Sequence, residues 1–126
     1  MMEKQLKNVA EFHKAFLVKN NNVPTKLSKE DYILRHKLMA EENNEYLEAC
    51  ENEDVIGILD ALGDQLYILC GTILKHGMQH IIEDIFDEIH SSNMSKLDEE
   101  GNPVLREDGK ILKGKNYFKP DLKKFL

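Results

Sequence analysis

Apolar residues at Leu6, Val9, Phe12, Phe16 and Leu17 recur at spacings of three and four, which predicts a first helix over roughly residues 3–19. "NNNVPTKLS" breaks it. Ser28 followed by Asp31 resembles a capping box with the shorter acid and opens a second helix that runs to about residue 50. "ENED" is the next turn. A third helix, about 54–75, is apolar on nearly every side, from Val55 and Ile56 through Leu62 and Leu66 to Ile73 and Leu74, and so reads as a central buried element. Met78, Ile81, Ile82, Ile85, Phe86 and Ile89 give a fourth helix that ends near "HSSN". Beyond it the period changes, and Asp108-Gly109 between two short alternating runs predicts a β-hairpin. The fold class expected is all-α, a four-helix core over about 3–92 with a short C-terminal β-hairpin tail over 93–126, in a single domain.

The pattern is broken by acids in two places. At about 100° per residue, Glu41, Glu45 and Glu48 fall in the wedge that also holds Leu34 and Leu38, so the carboxylates extend an apolar stripe. Ordinary solvated acids sit opposite such a stripe, and like charges three and four apart repel. On the third helix Asp60, Asp64, Tyr67 and Gly71 form one strip, flanked by Gly57 and Gly63. Isolated acids in a nearly all-apolar helix carry a desolvation cost of several kcal/mol without a counter-charge. Glu42, Glu45 and Asp64 are therefore read as functional and Glu48 as solvated, with Glu41 and Asp60 between those cases.

Composition narrows the class without changing it. The 126 residues are 41% hydrophobic and 32% charged, as expected of a soluble globular domain. A net charge of −6 argues against coating nucleic acid, which needs clustered Lys and Arg. Residues 1–95 hold 9 basic and 17 acidic groups, net −8, and residues 96–126 hold 8 and 6, net +2. An acidic body with a basic tail suits metal cations in one part and phosphate in the other. Cys50 and Cys70 lie in apolar helical patterns without a C-x-x-C pair, as buried thiols of a reducing compartment do. The N-terminus has no signal-peptide pattern and the longest apolar region is interrupted by Asp60, Asp64 and Gln65, so a cytoplasmic location with no membrane partner is expected.

Acids on two neighbouring helices suit a hard, oxygen-seeking cation: magnesium first and manganese second, since a typical zinc site would need well-placed His or Cys. A di-iron carboxylate bundle requires two Glu-x-x-His motifs, and the chain offers one acid-x-x-His pair, Asp87 to His90. "HSSNMSKL" is a second polar concentration, which a Ser-rich helix end also explains. Lys110, Lys113 and Lys115 lie near a Gly turn, where lysines are usually just solvated.

"EENNEYLEA" followed by "LDALGDQLYILCGTIL" resembles the paired acidic helices of the all-alpha NTP pyrophosphohydrolase superfamily, which includes MazG-like proteins, phosphoribosyl-ATP pyrophosphohydrolases and dimeric dUTPases. Its pattern is E-E-x-x-E on one helix and E-x-x-D on the next. Glu41, Glu42 and Glu45 match the first half. The second half departs, because the residue three before Asp60 is Gly57 and the residue three before Asp64 is Ala61, so Asp60 and Asp64 would have to supply the ligands. "HSSNMSKL", "REDGK" and "LKGKNYFKPDL" extend the resemblance along the tail to a phosphoribosyl-ATP pyrophosphohydrolase-like subgroup. The resemblance implies hydrolysis of a nucleoside triphosphate to monophosphate and pyrophosphate, with Glu41, Glu42 and Glu45 catalytic and magnesium held by these three with Asp60 and Asp64. It implies nucleotide contacts from Tyr67, Asn93, Lys96, Lys110 and Lys113, and a homodimer or homotetramer. The competing expectation, raised by the missing glutamate, is a non-catalytic helical module that binds nucleotide or metal without turnover.

Overall fold

The structure, a computed structural model, describes residues 2–126 as two compact units, Met1–His80 and Ile81–Leu126. The first holds α1 (Glu3–Ala15), α2 (Lys29–Glu51) and α3 (Val55–Lys75), and the second holds α4 (Ile82–Met94) and a final 3-10 turn, Lys123–Phe125. Within the first unit α3 packs against both α1 and α2.

The helix starts follow their caps. Ser28 Oγ accepts from the Asp31 N–H at 3.3 Å, and Asp54 Oδ1 accepts from the Gly57 N–H at 3.0 Å, each satisfying one of the free donors of a first turn. The helix ends share one device. After α1, α2 and α3 the chain passes through a positive φ at Leu17 (60°), Glu53 (52°) and Gly77 (69°). The next N–H then reaches back five residues, Val18 to the His13 carbonyl, Asp54 to Ala49 and Met78 to Ile73, which is the Schellman arrangement. Only the third carries the glycine that announces it in sequence. The first helix therefore stops at Ala15 rather than near residue 19, with Phe16 and Leu17 exposed.

The segment between α1 and α2 is not an idle connection. It closes the C-terminal end of α3: the Asn21 N–H and Nδ2 donate to the Leu74 and Lys75 carbonyls, and the Thr25 N–H donates to that of His76. A Cβ on Gly77 would lie 2.1 Å from the Val23 carbonyl oxygen, so the segment approaches as closely as glycine permits.

Two expectations change. Apart from Ala61, the buried residues of α3 gather at its C-terminal end, Cys70, Gly71, Ile73 and Leu74, whereas Val55, Leu59, Leu62, Leu66 and Leu69 are 67, 62, 49, 44 and 46% exposed. The covered part of the helix is where Ala61 and Gly71 lie, Gly71 against Arg35 of α2 and His13 of α1. By length and composition it could also cross a membrane. The C-terminal β-hairpin is not formed: no strand occurs among the described residues, and Asp108-Gly109 sits in a turn closed by one isolated bridge, Leu105 to Ile111. Arg106 and Asp108 pair with each other across this turn, and beyond it the chain turns away to run along α4 instead of extending a ladder.

That run is a strap. The Gly114 N–H donates to the Lys96 carbonyl at 2.8 Å, Ser92 Oγ donates to the Phe118 carbonyl at 2.8 Å, and Glu88 accepts from the Asp121 N–H and from Lys124 Nζ at 3.2 and 2.9 Å. Gly114 is required where the strap meets the helix end, since a Cβ there would lie 2.4 Å from the Leu97 carbonyl oxygen.

Candidate metal centre

On α2 the two residues Glu42 and Glu45 lie almost one turn apart, and α3 brings Asp64 opposite them. One carboxylate oxygen from each falls within 4.8 Å of the other two. Glu42 is half-buried and Glu45 exposed. Glu42 Oε2 is buried with no hydrogen-bond partner among the described residues, an orphaned acceptor of the kind that normally has a donor or a cation. Burial, then the close approach of the Glu45 carboxyl and its charge, then the charges of Asp64 and Asp60, push the Glu42 carboxyl up to about 7. Burial first, then the charges of Asp60 and Glu45, also push the Asp64 carboxyl up. No cation is among the causes in either case, so the cluster is a set of like charges held together by two packed helices.

This donor set fits a small divalent cation. All donors are carboxylate oxygens, at least one is desolvated and unpartnered, and three ligands leave positions for water and phosphate, as magnesium requires. Glu41 and Asp60 lie outside the convergent trio; both are exposed, and Asp60 acts on it through charge. Ala61, where an acid three before Asp64 would stand, is 1% exposed. A carboxylate could not fit there without displacing the packing.

The other candidate residues are placed as follows. Tyr67 sits edge-on to Phe12, with centroids 5.6 Å apart at 84°, and is 39% exposed. Asn93 lies in the last turn of α4 and Lys96 two residues past its end, where neither side chain has a polar partner among the described residues. Lys113 Nζ lies 4.8 Å from the Tyr117 ring centroid, Lys115 pairs with Glu99, and Lys110 follows the Asp108-Gly109 turn, its N–H donating to Asp108. A groove of about 460 Å³ runs along α2 and α3, lined by His36, Met39, Ala40, Asn43, Gln65 and Leu69; none of the acids lines it.

Sequence reasoning missed the polar junction beneath the cluster. His13, 3% exposed, and Arg35, 7% exposed, meet at Gly71, where a Cβ would come within 2.6 Å of Arg35 Nη2 and 2.9 Å of His13 Nε2. The available signals were a charged residue seven before Glu42 on the same helix face and a glycine in an otherwise bulky helix.

Comparison with known proteins agrees with this architecture. No curated protein matches the chain. Among solved structures it is similar in fold to a protein of Exiguobacterium sp. 255-15 proposed to be an NTP pyrophosphohydrolase, with a TM-score of 0.50, 24% identity, and coverage of 92% of this chain and 88% of that one. The family profile described as phosphoribosyl-ATP pyrophosphohydrolase matches residues 9–93, a span that takes in α2, α3 and the whole acid cluster. The chain is thus a member of the phosphoribosyl-ATP pyrophosphohydrolase family, within the all-alpha NTP pyrophosphohydrolase superfamily.

Proposed function

We propose that the protein is a magnesium-dependent nucleoside triphosphate pyrophosphohydrolase that cleaves between the α and β phosphates to release a nucleoside monophosphate and pyrophosphate. The observation that carries this reading is the convergence of Glu42, Glu45 and Asp64 within 4.8 Å around an orphaned buried oxygen. These three would hold magnesium, or manganese in its place, which when bound neutralises phosphate oxygens and makes water a better nucleophile. Asp60 adds negative charge behind them. One of the glutamates Glu41, Glu42 and Glu45 would take the proton of the attacking water. Tyr67 would line the substrate side of α3. Asn93 and Lys96, with Lys110 and Lys113, would contact the nucleotide, the lysines as compact point charges toward phosphate.

A panel of nucleoside triphosphates assayed for pyrophosphate release with magnesium, with and without EDTA, tests the proposal. Release that EDTA abolishes supports it. Tight nucleotide binding without release over hours would assign the chain to the non-catalytic module instead.

Self-association belongs to the same proposal. Val55, Leu59, Leu62, Leu66 and Leu69 are all exposed and recur at alternating spacings of four and three, the seam of helices that pack along their length. We expect a homodimer or homotetramer that covers this seam, and a well-folded monomer by sedimentation at micromolar concentration would contradict it. The proposal includes a cytoplasmic location without a membrane partner, and the net charge of −6 argues against a nucleic-acid partner.

A further inference from the structure

Arg35 lies on α2 seven residues before Glu42, so the two share a face about 10 Å apart along the axis. Its side chain is buried with no carboxylate within ion-pair distance among the described residues. Both of its hydrogen bonds cross to α3: Nε donates to Thr72 Oγ1 at 3.1 Å and Nη2 donates to the Ile68 carbonyl at 2.9 Å. Thr72 Oγ1 donates to that same carbonyl at 2.9 Å, so guanidinium, hydroxyl and carbonyl close a ring. Gly71 supplies the space, and His13 of α1, whose Nδ1 is held 2.6 Å from Asn20 Oδ1, closes the other side.

Burying a guanidinium without a counter-charge is costly, and a methionine or leucine would fill such a space at lower cost. What a hydrophobe cannot supply is direction. Two apolar helix faces can slide past one another with little change in contact, whereas bonds to one carbonyl and one hydroxyl fix the axial register. The acceptor chosen is Ile68, one turn from Asp64, and the donor is two turns from Glu42. In the antiparallel pair of α2 and α3, the ring therefore sets how far the Glu42 and Glu45 oxygens stand from that of Asp64. The exposed amide pair next to the cluster, Gln65 Nε2 to Asn43 Oδ1 at 3.0 Å, is a second and more yielding link across the same seam.

We infer that Arg35 is a positioning residue for the Glu42, Glu45 and Asp64 cluster, holding α2 and α3 in the register that lets the three carboxylates share one cation. The inference rests on the reading of that cluster as a cation site. It is tested by titrating the full chain with Mn2+, followed by electron paramagnetic resonance, in wild type, Arg35→Met and Thr72→Val. Arg35→Met should bind Mn2+ roughly 10- to 100-fold more weakly while retaining its helical circular dichroism, the range seen when residues that support metal ligands are lost. Thr72→Val, which removes one partner of the ring, should weaken binding about threefold, the scale of one neutral hydrogen bond. The sign discriminates, because removing a positive charge near acids would by electrostatics alone tighten cation binding. Unchanged or tighter binding by folded Arg35→Met overturns the inference. If that variant does not fold, unchanged binding by Thr72→Val overturns it. Wild-type protein that binds no Mn2+ overturns the metal reading, and this inference with it.

Discussion

Two sets of carboxylates on one chain meet opposite treatment. In the C-terminal unit Glu88 accepts from Lys124 and from the Asp121 N–H, Glu99 pairs with Lys115, and Asp108 pairs with Arg106. The side-chain bond from Lys124 holds the Glu88 carboxyl below its usual range, and that from Arg106 does the same for Asp108. Between α2 and α3 the acids meet only burial and each other, and Glu42 and Asp64 move the other way. Both regions have basic residues within a few turns of sequence, so the contrast does not follow from composition. The difference lies in where the helices aim the side chains. One set is neutralised from within the fold, and the other finds no counter-charge among the described residues.

The sharpest way to break this contrast is to remove a charge from the unpaired set. Glu45→Gln should lower turnover at least about 100-fold, roughly 3 kcal/mol of barrier, while the metal-free fold keeps or gains thermal stability because like-charge repulsion is relieved. Magnesium should raise the melting temperature of wild type and do so much less in this variant. Equal magnesium shifts in both would remove Glu45 from the site.

A lysine comparison sharpens it from the other side. Lys96 has no internal carboxylate partner among the described residues, whereas Lys124 is committed to Glu88. Lys96→Ala should weaken nucleotide binding or turnover by about 1–3 kcal/mol, the scale of a charge-assisted hydrogen bond, and Lys124→Ala should leave both near wild type. Kinetics of Lys96→Ala within twofold of wild type at low and at saturating nucleotide would confine the chemistry to the two acidic helices.

The pH response carries a definite sign. Glu42 rises from an ordinary value of 4.5 to about 7 in the folded chain, so between those values the folded state binds a proton that the unfolded state does not. The stability this contributes is present at low pH and is lost as pH rises through about 7. Metal-free protein should therefore melt higher at pH 5.5 than at pH 8. Metal affinity should run the opposite way, because the ligands must be deprotonated. Mn2+ affinity that stays flat from pH 6 to pH 8 would contradict the coupling. The smallest effect is expected in the paired set, where Glu88→Gln should loosen the strap along α4 while leaving the magnesium shift of the melting temperature unchanged.

Much of this was legible in the sequence because it is periodic. The nearly unbroken apolar run from Val55 to Leu74 and the Ser28 cap marked α3 and the start of α2, whereas the angular wedge of Glu41, Glu45 and Glu48 did not mark a covered face: all three are exposed, and the half-buried acid is Glu42, outside the wedge. The geometry then brought together Glu42, Glu45 and Asp64, with Glu41 and Asp60 at the margin. What escaped the reading has no period. The end of α1 depends on Leu17 adopting a positive φ without glycine. The strap is tied by Ser92, Glu88 and Gly114 to backbone groups more than 17 residues away in sequence, and such bonds leave no local pattern. Asp108-Gly109 did form its turn, but hairpin propensity is local and strand pairing is not, so the flanking residues made one bridge and no ladder. The Arg35 ring was hidden for a similar reason, since a buried arginine on a helix looks in sequence like any solvated one.

The most direct test of the account is a Mn2+ titration at pH 8 of three proteins: wild type, Glu42→Gln from the unpaired set and Glu88→Gln from the paired set. Saturable Mn2+ binding is predicted for wild type and for Glu88→Gln with equal affinity, and its loss for Glu42→Gln. Equal affinity in all three proteins would contradict the claim that the α2–α3 acids are built to be neutralised by a bound cation.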